Sequence, residues 1–280
     1  MKRLRTRMKL PPNSNHHIVF KCVLAATYLG PMLLSMLYLY LSKSRIDVLL
    51  YWTSNTQVKD PTSRSAVILI GSYSYFVYNA GYPCLVVLSM CLLIQHCVKI
   101  LWLYEKQLRN LTFCSSCLNT LKDFFSALEI VRLLRNALSL PLLISLMISL
   151  LNLFISISTL LIESTDVATH LALEMLVTSL NGSIILLTLT LQAAKIPDSL
   201  TKIKETAGTL LVKHSKHNFQ NGIAKETMYL LRRIEESELI HLSACGLIEF
   251  KKSFLLSAVG GLSTYGLLVL NFKRTDIKEP

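Results

Sequence analysis

Long apolar runs separated by basic stretches set the pattern of this chain. Five segments, 18–41, 66–98, 136–162, 167–194 and 253–272, carry scarcely any charge over a length that matches a bilayer crossing. In hydrocarbon every peptide group must be hydrogen-bonded within its own segment, so each run predicts a transmembrane helix. The expected fold class is an all-α membrane protein, a helical bundle of about five transmembrane helices with cytoplasmic helical extensions.

The segment 66–98 is longer than a crossing requires. As helix it would run roughly 50 Å, so tilt or a projecting end is expected. Pro83, following Gly81 and Tyr82, predicts a kink, because proline removes a donor and crowds the preceding turn. Tyr75, Tyr78 and Tyr82 share a helical face near the outer half of this segment. That face reads as an interfacial aromatic belt or as the lining of a small-molecule pocket opened by the kink.

Two stretches between the crossings also have helical periodicity. Leu121, Phe124, Phe125, Leu128 and Val131 recur at helical spacing, and 222–250 mixes Leu and Ile with Lys225, Glu226, Arg232, Arg233, Glu235 and Glu236. Both predict amphipathic helices outside the membrane.

Composition agrees with this pattern. Apolar residues make up 52% of the chain and charged ones 16%, against about 25% charge in soluble domains, which argues against a water-soluble globule. Net charge is +12, and the basic residues alternate in density: three of the connections together hold 21 Lys and Arg, the other three only 7. The positive-inside rule therefore places residues 1–17, the loop 99–135 and the loop and anchor helix of 195–252 in the cytoplasm. The tail 273–280 is then extracellular. The basic start, residues 1–9, precedes an apolar run too long for a cleaved signal, so 18–41 reads as an uncleaved first helix.

Seven cysteines, an odd number, give no disulfide framework, and Cys114 and Cys117 have C-x-x-C spacing without a second pair or nearby histidines. No metal, cofactor or nucleic-acid partner is expected, and no nucleophile with its base suggests an enzyme. Among polar residues inside the runs, Asn152 and Asn181 sit at similar depth on either side of the short turn 163–166 and suit helix packing ahead of a ligand contact. His170 and Glu174, one helical turn apart near the outer surface, read as a satisfied polar pair or an outward ligand contact.

The last helix carries the most specific signal. At about 100° per residue, Ser257, Gly261, Thr264, Tyr265, Leu268, Asn271 and Phe272 form one small and polar stripe, with Leu255, Val259, Leu262, Val269 and Leu270 opposite. Oxygens on that stripe must meet protein or water rather than lipid. It reads as a packed interface or as a pore wall built by several subunits, with Leu268 and Phe272 as constrictions and Asn271 as a polar ring.

The run Ser243-Ala-Cys-Gly-Leu-Ile-Glu-Phe250, followed by Thr264-Tyr265, five hydrophobic-type positions and Asn271-Phe272, resembles the end of insect gustatory receptors, within the insect chemoreceptor superfamily. Residues 121–140, with Asp-Phe-Phe-Ser and Asn136, are similar to that family's approach to its fifth helix, so the likeness extends over 99–272. Asn271 stands where the family carries Gln. The family has seven spanning helices, and the five here match its third to seventh, as in a short member lacking the first two.

The resemblance implies a subunit of a tastant-gated cation channel in the cell membrane, a homo- or hetero-tetramer with gustatory receptor subunits. It assigns Thr264, Tyr265, Leu268, Asn271 and Phe272 to the motif and pore helix. A truncated, non-conducting accessory subunit and a small secondary transporter are the alternatives.

Overall fold

The computed structural model describes residues 14–42, 52, 60–110, 115–162, 169–215 and 222–276. Its helices are α1 (Ser14–Ser42), α2 (Pro61–Phe76), a π turn (Val77–Gly81), α3 (Tyr82–Arg109), α4 (Ser115–Ile162), α5 (Thr169–Ala193), α6 (Lys195–Ser215), α7 (Gly222–Glu235) and α8 (Lys252–Asp276). A short antiparallel pair, β1 (Ser243–Ala244) and β2 (Ile248–Glu249), lies between α7 and α8. Five helical stretches are long and apolar enough to cross a membrane: Leu24–Ser42, Pro61–Arg109, Thr120–Leu161, Leu171–Lys213 and Lys252–Phe272.

The chain forms two compact units, Met1–Leu85 with Ala168–Leu173, and Val86–Val167 with Glu174–Pro280. In the first, α1 packs on α2 and the π turn. An aromatic cluster fills the contact: Tyr38 meets Trp52 at 6.4 Å and Phe76 at 6.2 Å, and Trp52 meets Tyr75 at 6.5 Å. Trp52 lies directly over Gly71, whose missing side chain makes the room, since a Cβ there would sit 2.5 Å from the indole. Asp60 caps α2, its carboxylate accepting from the Ser63 amide at 2.8 Å and the Ser63 hydroxyl at 2.7 Å. Those bonds hold the Asp60 carboxyl below its ordinary range.

The expected bend near Pro83 takes the form of the π turn. A proline at 83 would crowd the carbonyl of Asn79, and the wider turn over Val77–Gly81 relieves that contact while helix resumes at Tyr82. It also shifts the face of every later residue: Tyr75, before the turn, joins the aromatic cluster, while Tyr78 within it and Tyr82 after it are 74% and 63% exposed.

In the second unit α4 is the backbone of the architecture. It runs 48 residues without interruption, with Pro141 inside it, and includes the predicted stretch 121–131. Leu121, Phe124, Leu128 and Val131 are all buried. Phe124 packs against Tyr104 of α3 at 5.9 Å, and α7 docks on the same end of α4. There Lys122 pairs with Glu226 at 3.3 Å, and the Arg233 guanidinium lies 4.8 Å over the Phe125 ring. α6 packs on α7, and Leu200, Ile203, Ala207, Leu231 and Ile234 supply buried apolar residues of these two helices.

Helix does not extend through 222–250, as the sequence pattern suggested. α7 ends at Glu235, and 236–251 forms the extended lead to the hairpin, the hairpin itself and its exit. Cys245 and Gly246 at its tip have φ of 50° and 73°, a left-handed pair that ends any helix and sits in the three-residue loop 245–247, where the Leu247 amide donates to the Ala244 carbonyl at 2.9 Å. Phe250, fully buried, donates its amide to the Leu242 carbonyl at 3.0 Å and anchors the hairpin base.

Candidate functional site, the last helix

α8 follows directly from the hairpin, and its first turn is tied down from two directions. Lys252 pairs with Asp198 at the start of α6 at 2.8 Å, and the Cys245 amide donates to the Ser139 hydroxyl of α4 at 2.9 Å. Beside them Lys251 binds Glu249 at 2.6 Å, and that hydrogen bond together with the lysine's charge holds the Glu249 carboxyl below its ordinary range. The ends of hairpin and helix are thus fixed by charge-assisted or directional bonds rather than by apolar packing alone.

Above this point α8 contacts α4. The Tyr265 hydroxyl lies 2.6 Å from the Ser158 hydroxyl, and its ring meets Phe154 edge to face at 4.7 Å. A Cβ at Gly266 would meet Ile157 at 3.6 Å and Leu161 at 3.8 Å, ordinary contact distances. Leu255, Ala258, Leu262, Tyr265, Gly266 and Val269 are the partly covered residues on this side. They recur every three to four positions, a single helical face.

The remaining circumference divides in two. At about 100° per residue, Ser257, Gly261, Thr264, Leu268 and Asn271 cluster roughly 120° from the centre of the covered face. Leu256, Val259, Leu267 and Leu270 occupy a third sector about as far round again. α8 therefore has three sides: one on its own chain, one small and polar, one aliphatic. The last two are exposed, with Leu268 at 50% and Phe272 at 64%. Thr264, Leu267, Leu268, Asn271 and Phe272 line an open depression of about 460 Å³ along the helix.

This arrangement separates residues that the sequence pattern had grouped. Tyr265 turns onto α4, whereas Thr264, Leu268, Asn271 and Phe272 face outward. Leu255, Leu262 and Val269 turn toward the covered side, and Val259 and Leu270 belong to the aliphatic sector. The binary polar and apolar reading missed the third side. A signal was present in Phe154 and Ser158, an aromatic and a hydroxyl one helical turn apart on α4, which form the seat for Tyr265.

Of the other predicted site residues, Tyr75 is half-buried and Tyr78 and Tyr82 are exposed. Glu174 is buried, and the side chain of His170 lies outside the described residues. Asn152 and Asn181 do lie at a close crossing of α4 and α5. The crossing is sealed by the Ser149 hydroxyl donating to the Gly182 carbonyl at 2.6 Å, while Asn152 Nδ2 is buried with no hydrogen-bond partner. Cys114 and Cys117 lie outside the described side chains, and among the described residues no group of His, Cys, Asp and Glu could hold a metal ion.

Comparison with known proteins places the fold. No protein-family model matches the sequence, and no curated protein matches it. Among solved structures, the chain is similar to the insect olfactory receptor OR5 from Machilis hrabei in complex with eugenol, at a TM-score of 0.55 and 15% sequence identity. The likeness covers 90% of this chain and 69% of that one. The architecture is thus that of an insect olfactory receptor, an all-α fold with helices able to span a membrane.

Proposed function

We propose that the chain is a chemosensory receptor of gustatory type, one subunit of a cation channel gated by a small-molecule tastant. It lies in the cell membrane as a multi-pass protein, N-terminus cytoplasmic and C-terminus extracellular, in a homo- or hetero-tetramer. The observation that carries this reading is the outward-facing polar side of α8. A bilayer-crossing helix that turns a small and polar side, with Ser257, Gly261, Thr264 and Asn271, away from its own chain suits water or a neighbouring subunit better than lipid, even with the Ser257 and Thr264 hydroxyls bonded back to the Ser253 and Gly260 carbonyls. Four copies around an axis supply both, with the aliphatic side left to lipid.

On this reading Thr264, Leu268, Asn271 and Phe272 form the pore wall, Leu268 and Phe272 its constrictions, and α6, α7 and the base of α4 the cytoplasmic anchor. Tyr75, Tyr78 and Tyr82 belong to the ligand-receiving outer half. Ligand gates the channel by binding the open state better than the closed one. The fold shared with an olfactory receptor solved with a small aromatic bound supports a small organic ligand.

The test is whole-cell recording from cells expressing the chain, alone and with full-length family subunits, against a panel of small organic tastants and eugenol. A ligand-evoked current whose unitary conductance changes in Leu268→Ser is the expected result. Current that appears only with a partner, and is altered by Leu268→Ser, makes the chain an obligate heteromeric subunit. Saturable substrate flux without unitary currents makes it a transporter and overturns the reading.

A further inference from the structure

We infer that the Tyr265–Ser158 hydroxyl pair is a rotational lock on α8, with Tyr265 a positioning residue that decides which side of the helix faces the aqueous axis. The inference rests on the pore reading for its physiological meaning. Its geometry stands without that reading.

Beside this pair lie apolar contacts between α8 and α4: Phe154 against the Tyr265 ring, and Ile157 and Leu161 beside Gly266. Such contacts have little directional preference, and in hydrocarbon they gain little from the hydrophobic effect. Glycines smooth the surface further. At Gly260 and Gly261 a Cβ would meet nothing within 4 Å, and at Gly266 it would make only ordinary contact. Apolar packing of this kind discriminates weakly between one rotation of α8 and its neighbours.

The hydroxyl pair is directional. Its 2.6 Å separation lies at the short end of the range for such bonds, and the bond is lost a few tenths of an ångström beyond about 3 Å. The phenol oxygen sits about 8 Å from the helix axis, the helix radius plus the reach of the side chain. At that radius half an ångström of slack corresponds to only about 4° of rotation, whereas a 30° turn carries the oxygen about 4 Å away. The three sides of α8 lie about 120° apart, so a modest turn moves Leu268 and Asn271 toward the aliphatic sector. The bond therefore holds the polar side in register with the axis. Its two members are the Thr-Tyr tyrosine and a serine 107 residues earlier, so the lock ties the pore helix to the longest helix of the chain.

The experiment pairs accessibility with current. Leu268→Cys and Leu270→Cys, at similar depth on opposite sides, are labelled in intact membranes with a membrane-impermeant thiol reagent, with the parent chain as background. In the parent, Cys at 268 reacts faster than Cys at 270. Tyr265→Phe keeps the ring on Phe154 and removes only the hydroxyl. It is expected to reduce the ratio of the two rates by about 2- to 10-fold, the range that corresponds to one hydrogen bond. Ser158→Ala should reduce it equally, the double variant no further, and Ser158→Thr should restore it. In recordings the same variants shift the ligand concentration for half-maximal current, in the same order.

An unchanged rate ratio in Tyr265→Phe, or additive effects in the double variant, overturns the lock. A parent ratio of one shows that α8 has no aqueous side, and it overturns the pore reading and the lock's purpose together. Absence of current with a ratio that falls in both single variants overturns channel function and leaves the lock standing.

Discussion

The crossing of α4 and α5 offers a quantitative test of the packing. A Cβ added at Gly182 would lie 2.9 Å from the Ser149 carbonyl oxygen, 3.1 Å from Leu153 Cγ and 3.5 Å from Asn152 Cβ. The first of these is backbone of a rigid helix, so α5 must move away from α4 by several tenths of an ångström. That movement stretches the Ser149–Gly182 hydrogen bond, now 2.6 Å long. Overpacking of this kind costs about 1–3 kcal/mol, and a lost hydrogen bond adds ~0.5–1.5 kcal/mol. Alanine's better helix propensity returns about 1 kcal/mol. Gly182→Ala should therefore destabilise by about 1–3 kcal/mol, and at roughly 2 °C per kcal/mol its melting temperature falls by several degrees. The assay is thermal unfolding in lipid nanodiscs, with two controls. A Cβ at Gly208 would approach only the Glu235 carboxylate tip, at 2.8 Å, which can swing aside, and one at Gly260 meets nothing within 4 Å. Both alanine variants should melt at or above the parent temperature. If Gly182→Ala melts with Gly260→Ala, the close approach of these two helices is refuted.

Other outcomes follow from the same physical reasoning. Gly71→Ala forces a methyl to within 2.5 Å of the Trp52 ring, so it should disperse the aromatic cluster, and tryptophan emission should shift in the parent-minus-variant spectrum. Asn152→Leu removes a buried donor that has no partner, so stability in the same melt should hold or rise. For Asp60, whose carboxyl is held low by Ser63, the cap is complete above the ordinary carboxylate range. Its contribution is lost as pH falls through the depressed folded value, and hydrogen exchange at the first turn of α2 should speed up there, as it should at neutral pH in Asp60→Ala. Charge reversal at Asp198 or Lys252 alone should shift the ligand response, and the double reversal should restore it, because the pair at 2.8 Å joins the start of α8 to α6.

Much of this was legible in the sequence because the bilayer simplifies the problem. Uncharged length alone marks the crossings, and the helical spacing of Leu121, Phe124, Leu128 and Val131 marks the lower part of α4. The hairpin before α8 was hidden, because its turn uses Cys245 with Gly246 rather than the Asn-Gly that signals a hairpin, and its strands are two residues each. The π turn was foreshadowed by Pro83, but its effect on Tyr78 and Tyr82 was not, since a wider turn changes the period on which face assignments rest. At α8 a two-sided wheel found the polar residues and merged Tyr265 with them. Separating it required knowing what lies on α4, a long-range fact that no local pattern contains.

Pro141 gives α4 a particular mechanical character. Its missing amide leaves one carbonyl of the preceding turn without its usual donor, a weak point in the otherwise continuous helix with about 40 Å of helix before it and 30 Å after. Ser139, where the hairpin tip is gripped, lies two residues from that point, and Ser158, where α8 is seated, lies on the stretch after it. Any flexing at the proline would swing one of these attachments relative to the other, so a small bend there would reach the terminal helix from two places at once.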